Sequence, residues 1–229
     1  MSLNSELDEL RARVSHSLPP GVYDRLQAEA ATIHASSKLK RARRAGDVAP
    51  EFKLSDVRGE TVRLSDLLKT GPVVLSFNRG DWCQFCELEL KALEGIRRDV
   101  SALGATLVAI ATQSAGTRKP HSAEGFGFRL LVDPDAKLAS SFGVTFTPSA
   151  DLGDAYAALG RPSAENSKTA LPIPATYIID QTGMVVFSYL DSDFTRRLDP
   201  SEILIVLRKL AERRPQANAS VDPVAPTFL

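Results

Sequence analysis

Two cysteines three residues apart are the side chains in this sequence that most clearly suggest chemistry. Cys83 and Cys86 are the chain's only cysteines, and they lie between an apolar run, Val73 to Phe77, and a helical pattern that begins near Leu88. This order predicts a strand, a tight turn and a helix with Cys-x-x-Cys at its start. Free N–H groups and the positive end of the helix dipole stabilise a thiolate there. Two thiols at this spacing can close and reopen a small disulfide ring, so the motif indicates a redox site.

Other interpretations of the cysteine pair are weaker. A zinc site needs four ligands, and the three histidines, His16, His34 and His121, lack ligand spacing to the cysteines or to one another. A permanent structural disulfide requires an oxidising compartment, for which the sequence shows no secretory context. The two thiols can also be ordinary core residues. We expect redox chemistry at Cys83 and Cys86, with neither a metal nor another cofactor.

Length and charge limit the possible functions. The 229 residues, 43% of them hydrophobic and 24% charged, suit one folded core with extensions. Lys+Arg and Asp+Glu are both 28, so no overall field would recruit nucleic acid or an anionic membrane. No apolar stretch approaches the roughly 20 residues of a membrane span, and Met1 to Leu10 carry charges where a signal peptide needs an apolar core. We therefore expect a cytoplasmic protein.

The chain divides into three segments. Residues 1–45 form a predicted helical extension with two apolar stripes, and these can pack on the main domain or on a second subunit, as in a homodimer. Residues 46–214 alternate strands and helices, which predicts an α/β domain with a central, mostly parallel sheet, helices on both faces and a C-terminal antiparallel hairpin. Residues 215–229 are predicted to be a loose tail. The stripes consist of Leu3, Leu7, Leu10 and Val14, and of Val22, Leu26, Ala30 and Ile33.

Two parts of the main domain are less regular. Residues 144–172 interrupt the alternation and contain a possible helix at 151–158. A long connection of this kind is unusual unless it is functional or partly helical. A further helix is expected within 117–126, and another from Pro134 to Phe142.

Four local patterns carry a resemblance to a known family. The region from about Gly46 to Arg213 resembles the redoxin group of the thioredoxin-fold superfamily, the alkyl hydroperoxide reductase and thiol-specific antioxidant family. The patterns are Gly46-Asp47-Val48-Ala49-Pro50-Glu51-Phe52-Lys53-Leu54; Phe77-Asn78-Arg79-Gly80-Asp81-Trp82-Cys83-Gln84-Phe85-Cys86; Leu131-Val132-Asp133 with Phe142-Gly143-Val144; and Ile173-Pro174-Ala175-Thr176-Tyr177-Ile178-Ile179-Asp180 through Gly183.

The cysteine motif departs from both of the patterns that it resembles. On the peroxiredoxin pattern, Pro-x-x-x-Thr/Ser-x-x-Cys, Cys86 takes the peroxidatic position, Cys83 stands at the Thr/Ser and Arg79 at the proline. On the thioredoxin pattern Cys83 attacks, Cys86 resolves, and Pro174 is the cis-proline that faces them. The sequence is similar to a hybrid type described as peroxiredoxin-like, with Arg-Gly-x-Trp-Cys-x-x-Cys.

The resemblance implies a thiol-dependent peroxidase. One thiolate would reduce a hydroperoxide and become a sulfenic acid, the second cysteine would close the disulfide, and a thioredoxin-like or glutathione-type reductant would reopen it. The alternatives are a thiol–disulfide oxidoreductase that acts on protein disulfides and a non-catalytic redox sensor or binding protein.

Several residues are expected to support the cysteines. Arg79 supplies positive charge near the sulfur, although a surface charge is equally plausible, and Trp82 shields the thiols. Arg196 and Arg197 can also point towards the site, but a solvated turn is favoured for both. The Ile173–Pro174 bond is expected to be cis and to lie beside the cysteine turn. Cys83 should be the better exposed thiol and the one with the lower pKa.

Overall fold

A seven-stranded sheet forms the centre of the molecule in a computed structural model that describes residues 2–36, 39–112, 125–162 and 169–213. The strands are β1 (Lys53–Asp56), β2 (Thr61–Arg63), β3 (Val73–Asn78), β4 (Thr106–Ala111), β5 (Arg129–Val132), β6 (Thr145–Phe146), β7 (Leu171–Pro172), β8 (Ala175–Ile179) and β9 (Val185–Leu190). The helices are α1 (Leu3–Ser17), α2 (Val22–Ala35), α3 (Leu64–Leu68), α4 (Gln84–Ala102), α5 (Lys137–Ser141), α6 (Gly153–Ala158) and α7 (Pro200–Arg213).

The strand order of the sheet is β2-β1-β5-β4-β3-β8-β9. The central strands β3, β4 and β5 are parallel, whereas β8 and β9 form an antiparallel hairpin beside β3. Every residue of β3 is buried, as expected for a central strand that is covered on both faces. The predicted α/β, thioredoxin-like fold class is therefore confirmed.

Alternate side chains of β3 enter two different layers of the core. Val74 packs in a cluster with Leu93 of α4 and Leu207 of α7 on one face. Phe77 points to the opposite face, where its ring centroid lies 5.1 Å from that of Phe142. The helix that carries the cysteine motif is thus fixed to the sheet by its own apolar stripe.

The N-terminal helices pack on the main domain of their own chain. Both predicted stripes are buried, and α1 lies against α4. Arg11 of α1 donates a 2.9 Å hydrogen bond from Nε to Thr195 Oγ1 in the loop that follows β9. Gln27 of α2 reaches Asp193 of the same loop at 3.5 Å. The extension therefore touches the loop that leads into α7.

Two irregular regions differ in detail from the predictions. The possible helix at 151–158 begins at Gly153, after a short 3-10 turn, and β6 pairs with β7 across the interruption. The helix expected from Pro134 is broken by positive φ angles at Asp135 and Ala136, and α5 begins only after the break. Most of the helix expected within 117–126 and all of the predicted tail lie outside the described residues.

Within the described ranges, no helix is both long and apolar enough to cross a membrane. Across the same ranges, no three His, Cys, Asp or Glu side chains gather in a way that could hold a metal ion.

Candidate active site

The turn between β3 and α4 places both cysteines at the start of the helix. Gly80 has a φ of +127°, a conformation that glycine adopts most easily, and a Cβ there would come within 2.9 Å of the Trp82 indole nitrogen. Cys83 is the N-cap residue of α4, and its Sγ accepts a 3.3 Å hydrogen bond from the Cys86 backbone N–H. Cys86 lies in the first helical turn, so the helix N-terminus faces both sulfurs.

Both thiols are free and buried. The exposed fraction is 4% for Cys83 and 1% for Cys86, so Cys83 is the better exposed thiol, as expected, although both are buried. Phe85 of the motif is buried as well, and its ring meets Phe194 edge-on at 5.7 Å. Access to the sulfurs is therefore controlled by the residues packed around the turn.

Arg197 contacts both sulfurs, and the solvated turn expected for this residue is wrong. Its Nη2 lies 3.0 Å from Cys86 Sγ and 4.0 Å from Cys83 Sγ. Nη1 donates to the Phe194 and Arg196 carbonyls, and Nε pairs with Glu89. These partners draw the guanidinium inward because they satisfy all of its nitrogens without water. Arg196 remains largely exposed, as expected.

Glu89 is a functional candidate that sequence reasoning missed. This buried carboxylate joins Arg197 to the sheet, because Ser76 of β3 donates a 3.0 Å hydrogen bond to its second oxygen. Asn78 in turn donates to Ser76 Oγ at 3.2 Å. Glu89 stands three residues after Cys86, on the buried face of α4. A charged residue at a helix position where the pattern expects an apolar one is the signal in the sequence that could have identified it.

The surroundings separate the pKa values of the two thiols. Burial raises the pKa of Cys83, but the hydrogen bond from the Cys86 thiol and the charges of Arg79 and Arg197 outweigh it and lower that pKa to about 6. Burial raises the pKa of Cys86 well above its ordinary value, and donation to Cys83 raises it further. Arg197 lies nearer to Cys86, yet the shared negative charge resides on Cys83, because the Cys86 thiol donates to Cys83 and Arg79 adds positive charge there.

Arg79 is buried at 1% exposure, not at the surface. Its guanidinium carbon lies 4.9 Å from the Trp82 ring centroid, 5.3 Å from that of Tyr156 and 4.6 Å from that of Phe194. Aromatic faces attract a cation but accept few hydrogen bonds. Within the described residues, Nε and both Nη atoms of Arg79 have no hydrogen-bond partner. Arg79 thus adds positive charge near Cys83 and retains N–H groups for an incoming oxygen.

Pro174 lies near the site, but its peptide bond is not cis. No cis bond occurs among the described residues, so the cis prediction is wrong. Ile173 and Pro174 lie between β7 and β8, and hydrogen bonds hold the backbone on both sides of their peptide bond. Ile173 N–H donates to the Val144 carbonyl at 2.8 Å, and Asp191 N–H donates to the Pro174 carbonyl at 3.4 Å. Pro174 borders a small cavity together with Arg79 and Phe194.

A second cleft leads to Cys83. It is lined by Gly80, Cys83, Leu90, Thr112 and Phe126, among other mainly apolar residues. Asn78, whose side-chain oxygen has no partner within the described residues, also lines it. The cleft gives a small molecule a route to the turn.

The separated pKa values predict a titration step in the reduced protein. One thiolate should form as the pH rises through about 6, because Cys83 loses its proton there while Cys86 keeps its own. Ultraviolet absorbance of the thiolate against pH measures this step, and the oxidised protein is the control that should lack it. A first step near the ordinary thiol pKa of about 8.5 would contradict the assignment.

Comparison with known proteins identifies the family. The model of the AhpC/TSA family matches residues 45–188. The thiol–disulfide oxidoreductase ResA of Geobacillus kaustophilus is 31% identical over 140 residues, which cover 61% of this chain and 66% of ResA, so the chain spans about two thirds of this relative. The chloroplastic peroxiredoxin Q of Triticum aestivum is 28% identical, with 72% of this chain and 67% of that protein covered.

A solved structure shows the same fold. The crystal structure of the peroxidoxin BcpB from Mycobacterium tuberculosis has a TM-score of 0.56, with 24% identity, and the match covers 73% of this chain and 97% of that one. Helices α1 and α2, Arg197 and α7 lie outside the family match. The chain belongs to the AhpC/TSA family and is similar to both peroxiredoxins and thiol–disulfide oxidoreductases.

Proposed function

We propose that this protein is a thiol-dependent peroxidase in which Cys83 attacks a hydroperoxide and Cys86 resolves the product. The observation that carries the proposal is the position of Cys83 as the N-cap of α4, where its Sγ accepts the Cys86 backbone N–H. Cys83 has its pKa lowered to about 6, whereas burial and donation to Cys83 keep Cys86 protonated. An attacking thiolate beside a protonated partner is the arrangement that two-step peroxide reduction needs.

The reaction balances without a cofactor. The Cys83 thiolate forms an S–O bond to the terminal peroxide oxygen, the O–O bond breaks, and the departing alkoxide takes a proton to become an alcohol or water. Cys83 is then a sulfenic acid. The Cys86 sulfur attacks Cys83 Sγ, the S–O bond breaks, and water leaves as the disulfide forms. An external thiol supplies the two electrons that reopen the disulfide.

The charged residues around the sulfurs have separate roles in this scheme. Arg197 bridges both sulfurs and stabilises negative charge on whichever one carries it. Arg79 offers unpaired N–H groups near Cys83, where the leaving oxygen becomes negative. Glu89 holds the Arg197 guanidinium in place. Trp82 and Pro174 are supporting residues that shield the turn from water.

A thiol–disulfide oxidoreductase is the second candidate function. The similarity to ResA and the position of Cys-x-x-Cys at a helix N-terminus favour it. It requires a protein disulfide to reach Cys83, which is almost fully buried. Consumption of peroxide, measured beside reduction of insulin disulfides, separates the two candidates.

Peroxide should convert the reduced protein to an intramolecular disulfide. We expect one equivalent of hydroperoxide to remove two hydrogen atoms from the protein mass, with the loss confined to the peptide that contains Cys83 and Cys86. Mass spectrometry before and after treatment with a dithiol measures this change. A peroxide reaction no faster than that of free cysteine would refute the peroxidase proposal.

A further inference from the structure

Two helices outside the family match, together with a segment inside it, cover one side of the thiol pair. We use the term cap for α1, α2 and residues 149–160 together. Val14 of α1 and Leu159 line a small void with Cys83 and Phe194. Both Val14 and Cys83 are buried in the reduced protein. The cap therefore reaches the cysteine turn itself.

The two parts of the cap are joined through a buried carboxylate on α2. Glu29 accepts a 2.7 Å hydrogen bond from the Ser149 backbone N–H and a 2.5 Å hydrogen bond from the Tyr156 hydroxyl. Arg25, one helical turn earlier, donates to the Asp151 carbonyl at 3.3 Å. Hydrogen bonds to a buried charge are among the stronger ones, so these bonds hold the cap closed.

The cap also occupies the face of the site that contains Pro174. Tyr156 lies between Glu29 and the active-site turn, with its ring against Arg79 and edge-on to Trp82 at 6.5 Å. Glu29 and Pro174 line one small cavity together with Arg79. The cap therefore packs against the Trp82 ring and borders the same cavity as Pro174.

Thiol–disulfide exchange requires the incoming sulfur to reach the disulfide sulfur. A cysteine on a folded partner brings its surrounding surface with it, and even weak redox encounters bury several hundred Å². Cys83 has 4% exposure, and among the described residues the cap covers it through Val14 and Leu159. An apolar cleft beside Gly80 and Phe126 also reaches Cys83, and a small molecule needs only this passage.

We propose that the cap selects the reductant, and that electrons reach this enzyme from a low-molecular-weight thiol rather than from a protein dithiol. The first thiol attacks Cys83 Sγ, the Cys83–Cys86 bond breaks, and Cys86 leaves as the thiolate. A second thiol attacks the outer sulfur of the mixed disulfide, which releases a small disulfide and the Cys83 thiolate. Two small thiols are oxidised and one protein disulfide is reduced.

The proposal rests on the proposed function, in which peroxide forms the Cys83–Cys86 disulfide. Its test does not need peroxide, because another oxidant can form the same disulfide. The full-length protein is oxidised with diamide, and reduction is followed by thiol alkylation and mass spectrometry. The reductants are dithiothreitol, and thioredoxin with its reductase and NADPH. We expect dithiothreitol to reduce the protein fully, and thioredoxin to reduce it at least 100-fold more slowly than it reduces insulin. A thioredoxin rate within tenfold of the insulin rate would overturn the proposal.

A variant that loosens the cap gives an independent measurement. Glu29→Ala with Arg25→Ala removes the hydrogen bonds that join α2 to residues 149–156. The thioredoxin rate should rise at least tenfold, while the dithiothreitol rate changes less than threefold. Asp24→Ala, which removes an exposed carboxylate from the same helix, is the matched control and should leave both rates unchanged. Equal increases with both reductants would show general loosening and would contradict selection by the cap.

Discussion

Replacement of Arg197 by alanine is expected to raise the pKa of Cys83 from about 6 towards or above the ordinary thiol value. The substitution removes the guanidinium that lies 3.0 Å from Cys86 Sγ and 4.0 Å from Cys83 Sγ, while the burial that opposes ionisation remains. Because only the thiolate attacks peroxide, the rate near neutral pH should fall by about tenfold or more. The midpoint of thiolate absorbance and the peroxide rate measure the two effects.

Arg196→Ala is the matched control for this prediction. Arg196 is the neighbouring residue, but it is largely exposed and pairs with Asp193 at 3.3 Å. Its removal should leave the Cys83 titration near pH 6. An unfolded chain would also titrate near the ordinary thiol pKa of about 8.5, so circular dichroism of each variant must first show folded protein. A shifted midpoint in folded Arg197→Ala then assigns the effect to the lost charge. An unchanged midpoint in Arg197→Ala would contradict the assigned role.

Replacement of Glu89 by alanine should cause the largest loss of stability among the active-site variants. The carboxylate and Arg197 form an ion pair with side chains 3% and 1% exposed, and removal of one partner leaves a buried charge uncompensated. Such changes cost roughly 3–5 kcal/mol in the free energy of unfolding. Urea denaturation of the reduced protein measures this loss. On the same helix, the exposed pair of Glu87 with Lys91 provides the control, and Glu87→Ala should cost less than about 0.5 kcal/mol.

A double variant separates the stability of the ion pair from its chemical role. Glu89→Leu with Arg197→Met replaces both charges with apolar side chains of similar volume, a change that is often neutral for stability. We expect the double variant to recover at least half of the stability that Glu89→Ala loses. Its Cys83 pKa should nevertheless stay high, because no guanidinium contacts the sulfurs. Recovery of the low pKa in the double variant would contradict the role of Arg197.

The framework of the site was predictable because it depends on local patterns. The apolar run from Val73 and the helical spacing after Cys86 predict a strand, a turn and a helix, and these elements are present. The apolar stripes of the first 35 residues predict burial, but a stripe does not specify what it packs against. Only the fold shows that α1 packs beside Cys83 and that α2 packs beside Arg79 and Pro174.

The electrostatics of the site depend on contacts between distant parts of the chain. Arg197 is 111 residues from Cys86, in a polar loop that gives no local sign of burial. Arg79 stands in a polar sequence, and contacts with Tyr156 and Phe194 bury it. The cis prediction for Pro174 failed because it relied on a family pattern, whereas the backbone here is paired to Val144 and Asp191 around a bond that is not cis.

Trapping of sulfenic acid in the two single-cysteine variants tests the central claim most directly. Each variant, Cys83→Ser and Cys86→Ser, is treated with hydroperoxide and dimedone and analysed by mass spectrometry. The lowered pKa of Cys83 predicts a dimedone adduct on Cys83 in Cys86→Ser and none in Cys83→Ser. An adduct only in Cys83→Ser would make Cys86 the peroxidatic residue, and an adduct in neither variant would contradict peroxidase activity altogether.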